Sequence, residues 1–420
     1  MKCKVEKSRL SGTISCPPNK SYTHRAVFLA SLARGKSTIR NVLLSRDTLA
    51  TINACRALGA KVTIDGSTLA IEGVGAITPV STEIDASNSG TTIRIAAAIA
   101  SLADTRITLT GDSSLRKRPM QPLLDALSKL GAECTSSNGT PPLGILGRIR
   151  GGSTSISGAV SSQFISALLI AGPKTELGIT LEIEGDLVSK PYLDATIATM
   201  KKFGVSVDVM IPYKKYSVQS QEYVPTDFTV PADFSSMALL LSAAVLAGDE
   251  LEISAPIGDL PQGDREMISH LERMGVKISL GETVRISVPS VLQGGRFDLA
   301  NTPDLLPPLA ILALKASSPI EIYNVRHARF KETDRIAILS RELSKIGVAV
   351  REKEDGMVLE APTSTSGAEL DSADDHRLFM AFCIAGMFVG NCTVTDPESV
   401  DVSYPGFISE MNRIGGKISL

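Results

Sequence analysis

A chain of 420 residues, 43% hydrophobic and 21% charged, can bury a large core, and at about 150 residues per domain it has room for two or three domains. Its net charge of −2 lacks the basic excess of a nucleic-acid binder, and 4% aromatic residues with no Trp leave little for base stacking, so no nucleic-acid partner is expected. No apolar run approaches the about 20 residues that span a bilayer, and residues 1–10 are charged, so a cytoplasmic chain with no membrane partner is expected.

The chain opens with a β-type segment, Cys3 to Pro17, ending in the turn CPPNK. From Lys20 onward a unit of about 70 residues recurs. It begins with a polar helix start and a helix of small aliphatic residues, then a strand. An amphipathic helix follows, closed by Gly and two further β-type runs. The polar starts are KSYTHRA at Lys20, NSGTTIR at Asn88, SSQFIS at Ser161, ADFSSMA at Ala232, TPDLLP at Thr302 and DDHRLFM at Asp374. The closing glycines are Gly59, Gly131, Gly204, Gly275, Gly347 and Gly415, each placed for a left-handed helix end. The pattern reads β-α-β-α-β-β, an α/β chain of six repeats. Six such units exceed one ordinary core, so two domains of three repeats are expected. The segment Tyr223 to Ser236, with two prolines, marks one crossing and CPPNK the other.

The aliphatic helices are expected to be buried all round, and the amphipathic ones, such as MISHLERM at 267–274, to face solvent on one side. The buried helix starts carry more than a cap requires. Arg25, Arg94 and Arg377 lie in or near first turns, where the helix dipole already supplies positive charge; a bound anion resolves that conflict. Lys117 and Arg118 precede Pro119, read here as a first-turn proline; Ser189, Lys190 and Tyr192 surround Pro191. Lys331, Glu332, Asp334 and Arg335 form FKETDR. Lys20, Lys331, Arg118, Arg335 and Arg377 suit phosphates and carboxylates, while Asp304 and Glu332 can move protons. The six cysteines and four histidines form no CxxC or HExxH spacing, so neither a metal site nor a cofactor is expected.

Taken in order, NKSYTHRA, NSGTTIR, GDSSLRKRPM, SSQFISALL, LVSKPY, PDLLP, FKETDR, DDHR and SYPGF resemble the motifs of the enolpyruvyl transferase family over essentially the whole chain. The resemblance implies an inside-out α/β barrel fold in two domains, residues 1–18 with 232–420 and residues 19–231, with a hinge near 17–20 and 229–233. It implies a monomer that takes the enolpyruvyl group of phosphoenolpyruvate to the 5-hydroxyl of shikimate 3-phosphate, with glyphosate as inhibitor. On the matching positions it implies that Lys20, Ser21, Arg25, Ser161, Ser162, Gln163, Ser189, Tyr192, Asp304 and Lys331 bind the shikimate phosphate. Lys20, Asn88, Gly90, Thr91, Arg118, Gln163, Arg335, His376 and Arg377 are the counterpart set for phosphoenolpyruvate. Asp304, Glu332 and Lys20 are the catalytic positions, and closure of the two halves is the implied dynamic step.

Two positions depart from the family pattern: His327 stands where some members have Asn, and Val402 where some have Lys. The sister transferases acting on UDP-N-acetylglucosamine are the alternative; they carry a reactive Cys before the Arg-Pro pair, and GDSSLRKRP has none. A non-catalytic anion-binding protein would have no reason to keep Asp304 and Glu332 beside the cationic set.

Overall fold

The computed structural model describes residues 1–281 and 283–420. The chain divides into two units. One comprises residues 1–17, 232–258 and 262–420, and the other residues 18–231 with 259–261. The chain thus changes unit between Pro17 and Pro18 and between Pro231 and Ala232. The short stretch Asp259–Pro261 lies with the second unit, a detour that no composition shift announces.

Among the described residues each unit holds six α-helices. In residues 18–231 these are α1 (Lys20–Leu32), α2 (Arg46–Ala57), α3 (Gly90–Ala100), α4 (Gln121–Lys129), α5 (Ser162–Ala171) and α6 (Lys190–Lys202). The other unit holds α7 (Phe234–Ala247), α8 (Glu266–Arg273), α9 (Leu306–Ile311), α10 (Arg335–Lys345), α11 (His376–Val389) and α12 (Phe407–Arg413). The odd-numbered helices are the aliphatic ones. Every residue of α7 is buried, as is all of α1 beyond Lys20 and Ser21. The even-numbered helices bury one face, as α8 does with Met267, Ile268, His270 and Leu271.

Among the described residues, strands complete the repeat as six four-stranded sheets, three in each unit. All six share one pattern, a parallel pair extended by two antiparallel neighbours. Residues 83–85 pair in parallel with 107–110, which pair antiparallel with 140–146, which pair antiparallel with 133–137. The ends of the chain complete a sheet of the same pattern from distant segments. Lys2–Val5 lies antiparallel to both Cys392–Thr395 and Ile418–Ser419, and Glu369–Leu370 supplies the parallel partner. Each unit has its own hydrophobic core, built around α1, α3 and α5 in one and α7, α9 and α11 in the other.

The six closing glycines all adopt positive φ, between 81° and 110°, so each ends its helix in the left-handed region where a side chain is penalised. The proline expectation needs a correction at α4. Pro119 lies outside the helix, after a 3-10 turn at Leu115–Lys117, and Pro122 occupies the first turn. Pro at that position removes an N–H that has no partner in a helix start. Among the described residues, no helix is long and apolar enough to cross a membrane.

Candidate active site

In residues 18–231 the helix starts are joined side chain to side chain. Asn19 caps α1 by accepting from the Tyr22 N–H, which leaves the next residue, Lys20, at the helix mouth. Lys20 Nζ lies 3.1 Å from Asp47 Oδ2 at the start of α2. Asp47 is fixed by a capping box, Ser45 with Thr48, that opens α2. Behind this pair runs a buried hydroxyl chain. His24 Nδ1 meets Thr51 Oγ1 at 2.7 Å, Thr51 meets Thr92 at 2.6 Å, and Thr92 reaches the Ser89 cap of α3 at 2.7 Å. Burial, then the charges of Lys20 and Arg25, hold His24 well below the usual imidazole range, so it serves this chain uncharged.

The start of α3 is the most crowded. The Arg118 guanidinium donates to Asn88 Oδ1 at 2.9 Å and to Ser114 Oγ at 3.4 Å, and Asn88 in turn donates to Asp112 at 2.8 Å. Gln163, on α5, donates to Thr91 Oγ1 at 3.1 Å and accepts from Arg94 at 2.5 Å. Arg94 also lies over the Phe164 ring, 5.1 Å from its centre. Gly90 sits under both guanidinium groups: a Cβ there would stand 3.0 Å from Arg118 Nη1 and 3.1 Å from Arg94 Nη1.

The starts of α1 and α6 meet at Arg25, which is 2% exposed. Its guanidinium donates to Thr196 Oγ1 at 2.8 Å and to the carbonyls of Ser21 and Tyr192, each at 2.9 Å. None of these three acceptors is a carboxylate, and burial lowers the Arg25 pKa to about 10. A guanidinium held by neutral acceptors in a dry place favours an added anion. Ser161 and Ser162 open α5, the first as its cap. Ser189 precedes α6 in the left-handed conformation, φ 56°, and makes no cap hydrogen bond, which leaves its hydroxyl for another partner.

In the other unit one ion cluster gathers five of the expected residues. Asp304 stands in the 3-10 turn before α9, Lys331 and Glu332 in the loop before α10, Arg335 at the first turn of α10, and Arg377 at that of α11. Arg335, 1% exposed, donates to Asp304 at 2.8 Å, Glu332 at 2.8 Å and Asp375 at 2.7 Å. Arg377 lies 3.1 Å from the other Asp304 oxygen and Lys331 3.9 Å from the first. Arg335 works against a strong burial penalty, and its carboxylate neighbours keep its proton more firmly held than in water. Lys331 is shifted the opposite way, burial lowering its pKa. Asp375 caps α11 by accepting from the Arg377 and Leu378 N–H groups. His376 is buried as the first residue of that helix.

The two departures are placed as follows. His327, in the turn before Lys331, is held down to about 4 by burial and by the Lys331 charge, so it faces its neighbours as a neutral imidazole. Val402 is buried, an apolar side chain with nothing to offer an anion. Sequence reasoning missed Asp47 as the partner of Lys20 and left Arg94 outside the residue set. Asp47 lies 27 positions from Lys20 inside an ordinary helix start, and the Ser-x-x-Thr capping box around it marks only where α2 begins.

The model of the EPSP synthase (3-phosphoshikimate 1-carboxyvinyltransferase) family matches residues 5–411. A 3-phosphoshikimate 1-carboxyvinyltransferase of Nitrosopumilus maritimus is 63% identical, over 100% of this chain and 99% of its own. That of Methanothermobacter thermautotrophicus is 45% identical over 99% of each. Among solved structures, an EPSP synthase from Acinetobacter baumannii overlays with a TM-score of 0.83 at 26% identity, covering 100% of both chains. The fold is that of the enolpyruvyl transferases. Within that class, the chain belongs to the EPSP synthase family.

Proposed function

We propose that the chain transfers the enolpyruvyl group of phosphoenolpyruvate to the 5-hydroxyl of shikimate 3-phosphate, giving 5-enolpyruvylshikimate 3-phosphate and phosphate. The reaction belongs to the route to chorismate and the aromatic amino acids. The observation that carries the reading is the Asp304–Glu332–Arg335 cluster. Two carboxyl groups share one buried guanidinium there, beside Lys331 and Arg377. Addition followed by elimination needs both an acid and a base beside cationic groups that bind phosphate.

Each unit supplies part of the residue set. In residues 18–231, Arg25, Ser21, Ser161, Ser162, Gln163, Ser189 and Tyr192 bind the shikimate phosphate; Asn88, Gly90, Thr91, Arg118 and Gln163 bind phosphoenolpyruvate; Lys20 serves both. In the other unit, Lys331 and Asp304 bind the shikimate side, and Arg335, His376 and Arg377 the phosphoenolpyruvate. The three cations Lys331, Arg335 and Arg377 are balanced by Asp304, Glu332 and Asp375, so an arriving anion competes with carboxylates for their donors. That exchange frees carboxyl oxygens for proton work at the moment the substrates are in place.

The steps balance as follows. Glu332 gives a proton to the methylene carbon of phosphoenolpyruvate, and Asp304 takes the proton of the attacking hydroxyl as the C–O bond forms. The tetrahedral adduct then returns a methyl proton to Glu332 and loses phosphate, which departs with the proton held by Asp304, restoring the double bond and the starting state of both carboxyl groups. Cationic groups stabilise the charge on the departing phosphate. Glyphosate binds beside Gly90 and inhibits, and the chain acts as a soluble monomer. The test is phosphate release from phosphoenolpyruvate with shikimate 3-phosphate, with and without glyphosate. Release that occurs and is blocked by glyphosate is expected; release only with UDP-N-acetylglucosamine would overturn the assignment.

A further inference from the structure

The loop that carries Lys331 and Glu332 is gripped by a residue outside the set above. Lys331, Glu332 and Thr333 belong to neither helix nor strand; they join the 3-10 turn Arg326–Phe330 to α10. Arg329 lies in that turn, its side chain 18% exposed. Its Nη1 donates to both Asp334 carboxyl oxygens, at 2.8 and 3.1 Å. Its Nη2 donates to Glu352 Oε1 at 2.8 Å and to the Lys353 carbonyl at 2.7 Å, and its Nε to the Glu354 carbonyl at 2.9 Å. A guanidinium has five N–H donors in a rigid fork, and these five contacts use the fork fully.

The acceptors lie on two supports. Asp334 caps α10, where it also accepts from the Ala337 N–H at 3.0 Å. Glu352, Lys353 and Glu354 lie at the tip of the hairpin joining the strands Ala349–Lys353 and Gly356–Glu360. The same tip holds the start of the segment. The Val325 N–H donates to the Asp355 carbonyl at 2.8 Å, and the Asn324 N–H to Asp355 Oδ2 at 3.2 Å. Arg329 therefore ties the segment to the hairpin and, five positions on, to the helix start. Lys331 and Glu332 ride on the short arch between Arg329 and Asp334. The ion cluster also holds this arch, since Glu332 accepts from Arg335 and Lys331 faces Asp304. That second hold is the one an arriving anion competes with. None of the five Arg329 contacts is made to a cluster residue, so the grip of Arg329 persists while the cluster exchanges partners.

We propose that Arg329 is a positioning residue: it fixes the backbone of the arch, so that Lys331 and Glu332 keep their places while substrates displace the ion pairs around them. The proposal rests on the roles given above to Lys331 and Glu332.

Two measurements test this in the full chain. The first is steady-state kinetics, by phosphate release, for the wild type and Arg329→Met, which keeps the length of the side chain and removes its donors. Lys331 and Glu332 lose their placement together, so KM for shikimate 3-phosphate should rise about fivefold or more and kcat should fall about tenfold or more, with KM for phosphoenolpyruvate within about twofold of the wild type. Asp334→Asn can still cap α10 and gives Arg329 no charged partner there; it should show the same split, smaller in size. A fall in kcat with both KM values unchanged is what simple loss of folded protein gives, and would overturn the proposal. The second measurement is amide hydrogen exchange without substrates. In Arg329→Met residues 329–334 should exchange at least about fivefold faster, while residues 339–345 of α10 keep their wild-type rates. Unchanged exchange at 329–334, or equal acceleration in both segments, would also overturn the proposal. Wild-type release with the UDP-sugar alone would instead defeat the proposed function, and the exchange rates would still report whether Arg329 holds the arch.

Discussion

Gly90 shows how little room an anion pocket leaves at a single residue. An added methyl group there presses on two guanidinium groups at 3.0 and 3.1 Å, and neither can withdraw freely, because Arg118 is held by Asn88 and Arg94 by Gln163. Gly90→Ala should therefore raise KM for phosphoenolpyruvate several-fold and weaken glyphosate inhibition, with KM for shikimate 3-phosphate little changed. Equal change in both KM values would place the crowding elsewhere. Arg335 gives the energetic counterpart. Arg335→Met leaves Asp304, Glu332 and Asp375 facing one another without their shared cation, and breaking a buried pair costs about 3–5 kcal/mol. Urea unfolding should show a loss of that order. Arg335→Lys should not restore stability, because Nε and both terminal nitrogens are in use and an ammonium cannot reach three carboxylates in that geometry. Arg118→Ala should lose phosphoenolpyruvate affinity, read as a rise in KM, while leaving unfolding near the wild-type midpoint.

At the scale of the element, a histidine on the buried face of one helix makes stability depend on pH. His270 lies on the buried face of α8, edge-on to Phe297 with ring centres 5.1 Å apart, and burial with the Arg273 charge lowers its pKa to about 4. The folded chain therefore leaves His270 neutral in a window where the unfolded chain protonates it, between about pH 6.5 and 4. Above that window the effect vanishes; as pH falls through it, stability is lost, by up to about 3 kcal/mol for this residue. His270→Leu should lose less stability than the wild type between pH 7 and 4.5 in thermal melts. Parallel loss would show that His270 is not the group responsible. Helix identity was legible in the sequence because two periodicities differ: continuous small aliphatics mark α7 and α11, and alternating charge marks α8 and α10. The partners of the helix starts were not. Lys20 with Asp47, and Arg335 with Asp375, are contacts between separate helices 27 and 40 positions apart, and no spacing rule within one element encodes them.

At the scale of the whole molecule, the repeat explains both what could be read and what could not. Six glycines about 70 residues apart declare the number of units, because each must end a helix at positive φ. They do not declare that residues 2–5 complete a sheet with residues 392–395 and 418–419, which is a contact across nearly the full chain. Removal of residues 1–6 should therefore speed hydrogen exchange by at least about tenfold in those two segments and leave residues 18–231 unaffected, since local opening follows local contacts. Equal acceleration in both units would contradict two separate cores. The proposed residues are drawn from both units, with Lys20 and Arg118 in one and Asp304, Glu332 and Arg335 in the other. The chemistry assigned to them is most directly tested by a paired-substrate assay on the full chain, following phosphate release and product mass. With phosphoenolpyruvate and shikimate 3-phosphate, the account predicts phosphate release and a product carrying one enolpyruvyl group. Release with UDP-N-acetylglucosamine and none with shikimate 3-phosphate would contradict it.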